Sequence, residues 1–310
     1  ACEGTRLKSE SRAVLVEGGS ASETSGTSSQ VSSDGTSMSQ DSMSVSPQWS
    51  EFCKDSANTS YTSAPAPDTD ISRDWSFGTT GSVDSSPAVV GDTLYVGIEE
   101  SDFYALRVED GTERWKYRTR GDGFTSPSVH EAKVYFGGNR RLHAVDAETG
   151  DFVWEYYVGV ERLSPPTSLG NTVFFGAENG TVYALYAETG SERWTFGLEG
   201  EVVASPAATS EHVYVGDSEG NLYAISSDTG DIDWSYYTGF GVSSSPTVVD
   251  STVYVTNRGG EIYAITSEGD RLWKFTTDSE YLYSPVVSEG SVYVVGRQGR
   301  VYAIKEPDSD

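Results

Sequence analysis

The sequence predicts an all-β chain, a six-bladed β-propeller of four-stranded antiparallel blades. Three observations carry that expectation. Tryptophan recurs at Trp75, Trp115, Trp154, Trp194, Trp234 and Trp273, 39 or 40 residues apart. Twelve residues past each stands a proline: Pro87, Pro127, Pro166, Pro206, Pro246 and Pro285. Eight residues further comes an aromatic (Tyr95, Tyr135, Phe174, Tyr214, Tyr254, Tyr293), then nine or ten residues on an alanine (Ala105, Ala144, Ala184, Ala224, Ala264, Ala303). Landmarks that hold register over six copies define a repeat, and a period of about 40 residues suits one supersecondary unit.

Each unit reads as four strands. Proline opens the first, as in SSPAVV, where a missing N–H breaks no ladder. The second is an apolar run such as TLYVG or TVFFG. It does not alternate, so both faces should be buried, as in a sheet held between two others. The third is the FYALRV or VYALYA strand, and the fourth carries the tryptophan, as in SERWTF. Gly150, Gly190 and Gly230, with Gly111 and Gly269 in the same place, supply the tight turn between strands three and four. A lone four-stranded blade cannot cover its two apolar faces, whereas a ring of blades covers both. The tryptophans are expected to pack blade against blade. The last unit ends at VYAIKEPDSD with no tryptophan strand, and the first tryptophan strand precedes any complete unit. The Trp75 strand is therefore expected to complete the last blade and close the ring.

The domain organisation follows from composition. Residues 1–48 read as a disordered Ser/Thr-rich tether: from Glu17 to Gln48, 12 of 32 residues are Ser, three are Thr and none is basic. Residues 49–70 read as a bridge that packs on the propeller through Trp49, Phe52 and Tyr61. The propeller covers 71–305, and 306–310 form a tail.

The chain carries 47 acidic and 21 basic residues, a net charge of −26. Such a field repels phosphates, so nucleic acid is not an expected partner. Six Lys against 15 Arg, with abundant Asp and Glu, resembles proteins of salt-loving archaea. In molar salt the Debye length falls to about 3 Å and self-repulsion is screened. An ordinary acidic protein is the alternative. Cys2 and Cys53 are the two cysteines, too few for a disulfide framework. The Ala-Cys start resembles a processed lipoprotein, with Cys2 as a possible site of lipidation and any membrane contact made through that lipid. No run of 18 apolar residues offers a transmembrane helix. The expected location is extracellular or at the cell surface, as a monomeric propeller.

The pattern Ala-x-x-x-x-Thr-Gly-x-x-x-Trp, seen as AVDAETGDFVW from Ala144 and ALYAETGSERW from Ala184, resembles the PQQ-like propeller repeat. The resemblance runs from Ile71 to Lys305. The stretch from Trp49 to Tyr61 is similar to a segment that precedes the propeller in archaeal members. The resemblance implies one of two functions. One is a quinoprotein dehydrogenase carrying pyrroloquinoline quinone. The other is a cofactor-free, protein-binding scaffold similar to BamB, a lipoprotein of barrel assembly. The dehydrogenases imply adjacent cysteines, a calcium site, a catalytic aspartate and a floor tryptophan. This chain has no Cys-Cys pair, and its repeat tryptophans occupy equivalent positions. The scaffold reading is preferred, with no catalytic, cofactor or metal residues assigned; a structural surface or adhesion component is a third reading.

Function is then expected in the loops, where the copies differ. Loops between strands four and one, and between strands two and three, should emerge on one face. Asp122, Glu161, Glu201 and Glu280 lie five residues before repeat prolines and form a candidate acidic channel rim, or a merely solvated one. Arg140, Arg141, Arg258, Arg297 and Arg300 fall in the second-to-third-strand turns. They are candidates for an acidic partner, since Arg presents a fork of donors to carboxylates. Charge balance with Asp217 and Glu261 is the alternative for them. Phe124, Phe240, Tyr281 and Tyr283 add aromatic contact area or fill the channel mouth. His130, His143 and His212 occupy different repeat positions and are expected at the surface or in turns. Sequons at Asn58 and Asn179 are expected in loops.

Overall fold

The computed structural model describes residues 55–58, 73–79, 81–83, 85–99, 102–119, 121 and 123–305. Cys2, Cys53, Asp122 and the expected tether lie outside the described residues. The described residues form 23 strands in six sheets, and all the pairing is antiparallel. Blade one comprises β1 (Ala88–Val90), β2 (Thr93–Ile98), β3 (Asp102–Arg107) and β4 (Glu113–Arg118). Blade two comprises β5 (Ser128–His130), β6 (Lys133–Gly138), β7 (Arg141–Asp146) and β8 (Phe152–Tyr157). Blades three, four and five repeat the order: β9 (Thr167–Leu169) to β12 (Glu192–Gly197), β13 (Ala207–Ala208) to β16 (Ile232–Tyr237), and β17 (Thr247–Val249) to β20 (Arg271–Thr276). Blade six has three strands, β21 (Val286–Ser288), β22 (Ser291–Gly296) and β23 (Arg300–Lys305).

The register explains the sequence landmarks. In blade three, Thr167 pairs with Phe174, Phe174 with Ala184, and Ala184 with Trp194. The same row crosses the other four-stranded blades, as in Ser128, Tyr135, Ala144 and Trp154. Alanine stands between two large rings in one row, so a longer side chain there would compete for the volume they fill. A bulge follows that alanine in every four-stranded blade.

The tryptophans of the first four blades then reach the next blade. The indole Nε1 of Trp115, Trp154, Trp194 and Trp234 donates to the backbone oxygen of Ala147, Ala187, Ser227 and Ser267, at 2.7–3.0 Å. The ring lies flat on the turn glycine of that blade. A Cβ built on Gly150 or Gly190 would sit 2.7 Å from Trp115 or 2.5 Å from Trp154. These glycines also have positive φ, 76° and 68°. Two demands, a left-handed backbone and an approaching ring, converge on the Thr-Gly pair.

Trp75 does the same to blade one. Its Nε1 donates to Val108 O at 2.7 Å, and its ring lies 2.4 Å from where a Cβ on Gly111 would stand. Residues 73–79 form no strand. On the open side of β23 no partner strand is present among the described residues, and Val301 there is 61% exposed.

The first strands of successive blades neighbour one another, and hydroxyl groups tie them together. Ser126 Oγ accepts from Ser86 N, Ser245 Oγ from Ser205 N and Ser284 Oγ from Ser245 N, at 2.9–3.1 Å. Thr167 and Thr247 donate to Pro206 O and Pro285 O, each at 2.7 Å. The short segment 55–58 docks against the first strands of blades four and five. Ser56 O and Ala57 O accept from Ala208 N and Val248 N, and Asn58 Nδ2 donates to Pro206 O and Pro246 O. Asn58 is fully buried. It is therefore not the loop sequon that the sequence suggests; its amide is consumed by two carbonyls.

His143 also differs from expectation. It occupies the centre of β7, where the other blades carry Tyr104, Tyr183, Tyr223, Tyr263 and Tyr302. It is buried and stacks on Phe136 at 5.4 Å. Burial pushes its pKa down, against the nearby Gly138 carbonyl and Glu155. Neither His130 nor His212 is fully exposed either: His130 ends β5, and His212 opens β14 (His212–Gly216) with Nε2 2.9 Å from Asp233.

The turn glycines yield a direct test. Gly170 has a positive φ of 54° but open space around a Cβ, whereas Gly190 has both constraints. Gly170→Ala should cost about 1 kcal/mol from backbone strain alone. Gly190→Ala should cost about 3 kcal/mol, because overpacking adds to strain. Denaturant midpoints at unchanged slope measure both.

Candidate binding face

The loops between strands four and one and those between strands two and three do share one face. Leu198 N, Thr238 N and Thr277 N donate to Gly180 O, Gly220 O and Gly260 O, while Ser218 N, Arg258 N and Arg297 N donate to Glu201 O, Gly241 O and Tyr281 O. The second-to-third-strand turns are thus stitched both to the loop that leads into their own blade and to the loop that leads into the next.

That stitching sets the charges. Arg140 reaches across it to Glu161 at 2.5 Å, and Arg162 approaches Glu201 at 3.8 Å. Two of the expected rim carboxylates are therefore already neutralised; Glu280 is exposed with no cation within ion-pair distance among the described residues. Arg141 and Arg300 sit one step beyond the turns, as the first residues of β7 and β23. Arg141 pairs with Glu155 at 3.1 Å and lies over Tyr157. Arg300 pairs with Asp278, which also accepts from Tyr302.

Arg258 and Arg297 behave differently. Both are exposed, and neither has a carboxylate within ion-pair distance among the described residues. The carboxylates expected to balance Arg258 are engaged elsewhere. Asp217 is buried and accepts from Asn221 and from Tyr223 at 3.1 Å. Glu261 pairs with Lys274 at 2.5 Å and accepts from Asn257 and Tyr263. Burial opposes ionisation of Glu261, but Lys274 and the two hydrogen bonds outweigh it and hold the carboxyl below its usual range.

Glu261 also builds the turn that presents Arg258. Asn257 donates to Glu261 and to Thr238 O, and its Oδ1 accepts from Gly259 N and Glu261 N. Phe240, 53% exposed, lies flat on that turn: a Cβ on Gly259 would stand 2.3 Å from its ring. Arg258 Nε donates to Ser243 Oγ at 3.3 Å, and Ser243 Oγ donates to the Tyr281 hydroxyl at 3.1 Å. The Arg297 guanidinium lies 6.0 Å from the Tyr281 ring centre, and Tyr283 meets that ring edge-on. Arg258, Ser243, Tyr281, Arg297 and Phe240 thus form one contiguous patch across blades five and six. Phe124 does not contribute to the surface in the same way, because it packs on Phe103 and Phe136.

Beneath the patch lies a cavity of about 190 Å³, lined by Pro165, by Val203 to Ser205, by Ser243 to Ser245 and by Tyr281 to Ser284. Its lining comes from four successive blades. A larger cavity, about 490 Å³, opens between blades three and four on the opposite face. Its cation, Arg193, is already spent on Asp228 and Thr172. Ser243 and Ser284 were not singled out from the sequence; only Ser284 falls at the hydroxyl that recurs immediately before the repeat proline.

A family model described as Outer membrane protein assembly factor BamB, built on PQQ-type repeats, matches residues 63–168, 159–242 and 237–309. The chain belongs to this family. BamB from Moraxella catarrhalis aligns with a TM-score of 0.52 at 17% identity, covering 76% of this chain and 87% of that one. A quinohemoprotein alcohol dehydrogenase from Pseudomonas putida HK5 aligns with a TM-score of 0.66 at 18% identity, covering 80% and 56%. At such identities the likeness shows the propeller fold alone. In sequence, a 1-butanol dehydrogenase (cytochrome c) of Thauera butanivorans is 30% identical over 141 residues, 40% of this chain. The chain spans only 20% of that dehydrogenase's length.

The dehydrogenase relatives raise the quinone cofactor, and the residues present do not fit it. Trp75, Trp115, Trp154, Trp194 and Trp234 each spend the indole N–H on a neighbouring blade, so none of these is free as a floor for a planar ring. Among the described residues no three His, Cys, Asp or Glu are grouped to hold a metal.

The Glu261 environment predicts a pH dependence. A carboxyl depressed in the folded state stabilises above its unfolded pKa, and that stability is lost as pH falls through the folded value. Glu261→Gln should therefore flatten the loss of stability below about pH 4 relative to the parent chain. Thermal unfolding between pH 7 and pH 2 measures the difference; parallel curves would contradict it.

Proposed function

We propose that the chain is a non-enzymatic binding scaffold, which holds another protein through the face made by the four-to-one and two-to-three loops. The observation that carries this reading is the pair Arg258 and Arg297. They stand exposed and without carboxylate partners among the described residues, on a chain of net charge −26, beside exposed Phe240 and Tyr283. Elsewhere on this face Arg140, Arg162 and Arg300 are paired. Cations left free among so many acids favour an acidic partner, and exposed aromatics beside them favour a protein surface. The family description, an outer membrane protein assembly factor, supports protein binding and a surface location. The likeness to alcohol dehydrogenases, one of them a quinohemoprotein, favours a quinone-dependent oxidoreductase instead, but the committed indoles oppose it. Arg258→Ser, Arg297→Ser and Arg300→Ser combined should abolish capture of a partner from native surface extracts. Unaltered capture, or quinone-dependent dye reduction with alcohols, would reject the scaffold.

Ring closure by the chain's own N-terminal strand belongs to the same reading. Trp75 stands 33 residues before the carbonyl it binds, the same offset as Trp154, Trp194 and Trp234. The support is that equivalence, together with the open side of β23. Trp75→Ala should then destabilise the chain nearly as much as Trp154→Ala, about 3 kcal/mol or more for a packed Trp. A near-neutral Trp75→Ala would leave the ring open.

The acid excess is read as adaptation to molar salt. The unfolding temperature should rise steadily between 0.2 M and 3 M potassium chloride as self-repulsion is screened. A flat profile would identify an ordinary acidic protein.

A further inference from the structure

The channel mouth beneath Arg258 has an unbalanced hydrogen-bond inventory. Arg258 Nε donates to Ser243 Oγ, and Ser243 Oγ donates to the Tyr281 hydroxyl. The chain of donors ends there: the Tyr281 O–H hydrogen has no acceptor among the described residues, and Tyr281 lines the cavity. Ser284, on the same wall, accepts from Ser245 N, which leaves its own hydrogen for a ligand. A chain of hydrogen bonds that begins at a guanidinium polarises each member, so its last O–H is a strengthened donor. No carboxylate lines the cavity. Arg297 adds a second positive charge over the Tyr281 ring. The cavity, about 190 Å³, admits a small group and not a large planar one.

We propose that this corner binds a carboxylate carried by a partner peptide, either a chain terminus or an acidic side chain. Tyr281 and Ser284 hydroxyls donate to its oxygens while Arg258 and Arg297 supply the positive field. The assignment rests on the binding-face reading above and names the chemistry of what that face recognises. Carboxylate fits better than a bulky anion because the donors come from one wall of a small cavity, with space behind them for no more than a short side chain or backbone.

The test uses the full chain in carboxylate-free buffer and three blocked tripeptides. One ends in a free carboxylate, one is its C-terminal amide, and one is an amide that carries an aspartate side chain. Calorimetry reads affinity, and the Arg Nε–H and Tyr resonances report where binding occurs. The amide without aspartate should not bind. Binding by the first peptide assigns a chain terminus, and binding by the third assigns a side chain. Tyr281→Phe and Arg258→Gln should each weaken that binding about tenfold, the loss of one hydrogen bond to a charged group. Ser243→Ala should do the same by cutting the relay, whereas Arg141→Gln, whose parent is held by Glu155, should not. Equal binding of the neutral amide, no binding of either acid at millimolar concentration, or binding of inorganic phosphate alone would overturn the assignment. If the peptides fail while the triple arginine variant still loses its partner, the carboxylate pocket is wrong and the binding face stands. If the triple variant also keeps its partner, both fall.

Discussion

The structure depends on one repeated contact, an indole that crosses from the last strand of one blade onto the turn of the next. It combines an interblade hydrogen bond with close ring-on-backbone packing. The hydrogen bond fixes where the indole edge points, and the glycine beneath lets the ring approach. Because the donor is in one blade and the acceptor in the next, each blade is positioned by its neighbour rather than by its own core. Successive copies then fix the loops relative to one another. The stitching of second-to-third-strand turns to the next incoming loop is a consequence of that placement.

This coupling decides where chemistry is available. Arg140 faces an acid in the loop of the next blade and Arg300 one in the loop of its own, so these charges cancel in pairs. Arg258 instead reaches Ser243, in the acid-free loop 238–246 that leads into its own blade, and through it Tyr281. The charge of Arg258 and Arg297, which has no carboxylate within ion-pair distance among the described residues, departs from the pairing of Arg140 and Arg300. It arises from the difference between copies and not from the repeat. The axial wall follows the opposite logic: its serines and threonines are repeated, and they bond blade to blade.

Much of the fold was legible in the sequence because repetition amplifies weak signals. The row from the post-proline residue through aromatic and alanine to tryptophan is visible five times in full and a sixth time without its tryptophan, and one row of cross-strand pairs explains it. Single-copy features were not legible. Asn58 reads as a loop sequon, because nothing local reveals that two proline carbonyls of distant blades will take its amide. His143 reads as a surface residue until it is aligned with the five tyrosines at its position. The arginines could be placed in or beside the right turns, but not their partners. Arg140 and Arg258 look alike in sequence, and only the neighbouring loop separates a neutralised cation from a free one. Ser284 carried a hint in the hydroxyl that recurs before the proline, but Ser243, three residues before Pro246, carried none, and its link from Arg258 to Tyr281 depends on the contact between blades five and six.

The central claim is that function resides on one face, at the patch around Phe240, and not in the channel or on the opposite face. Site-specific photo-crosslinking tests it most directly. A photoreactive amino acid at position 240 is compared with one at position 188, an exposed residue in the turn between strands three and four on the opposite side. The account predicts that position 240 crosslinks a defined protein partner in native extracts and that position 188 does not. Crosslinking from position 188 alone, or from neither position, would contradict it.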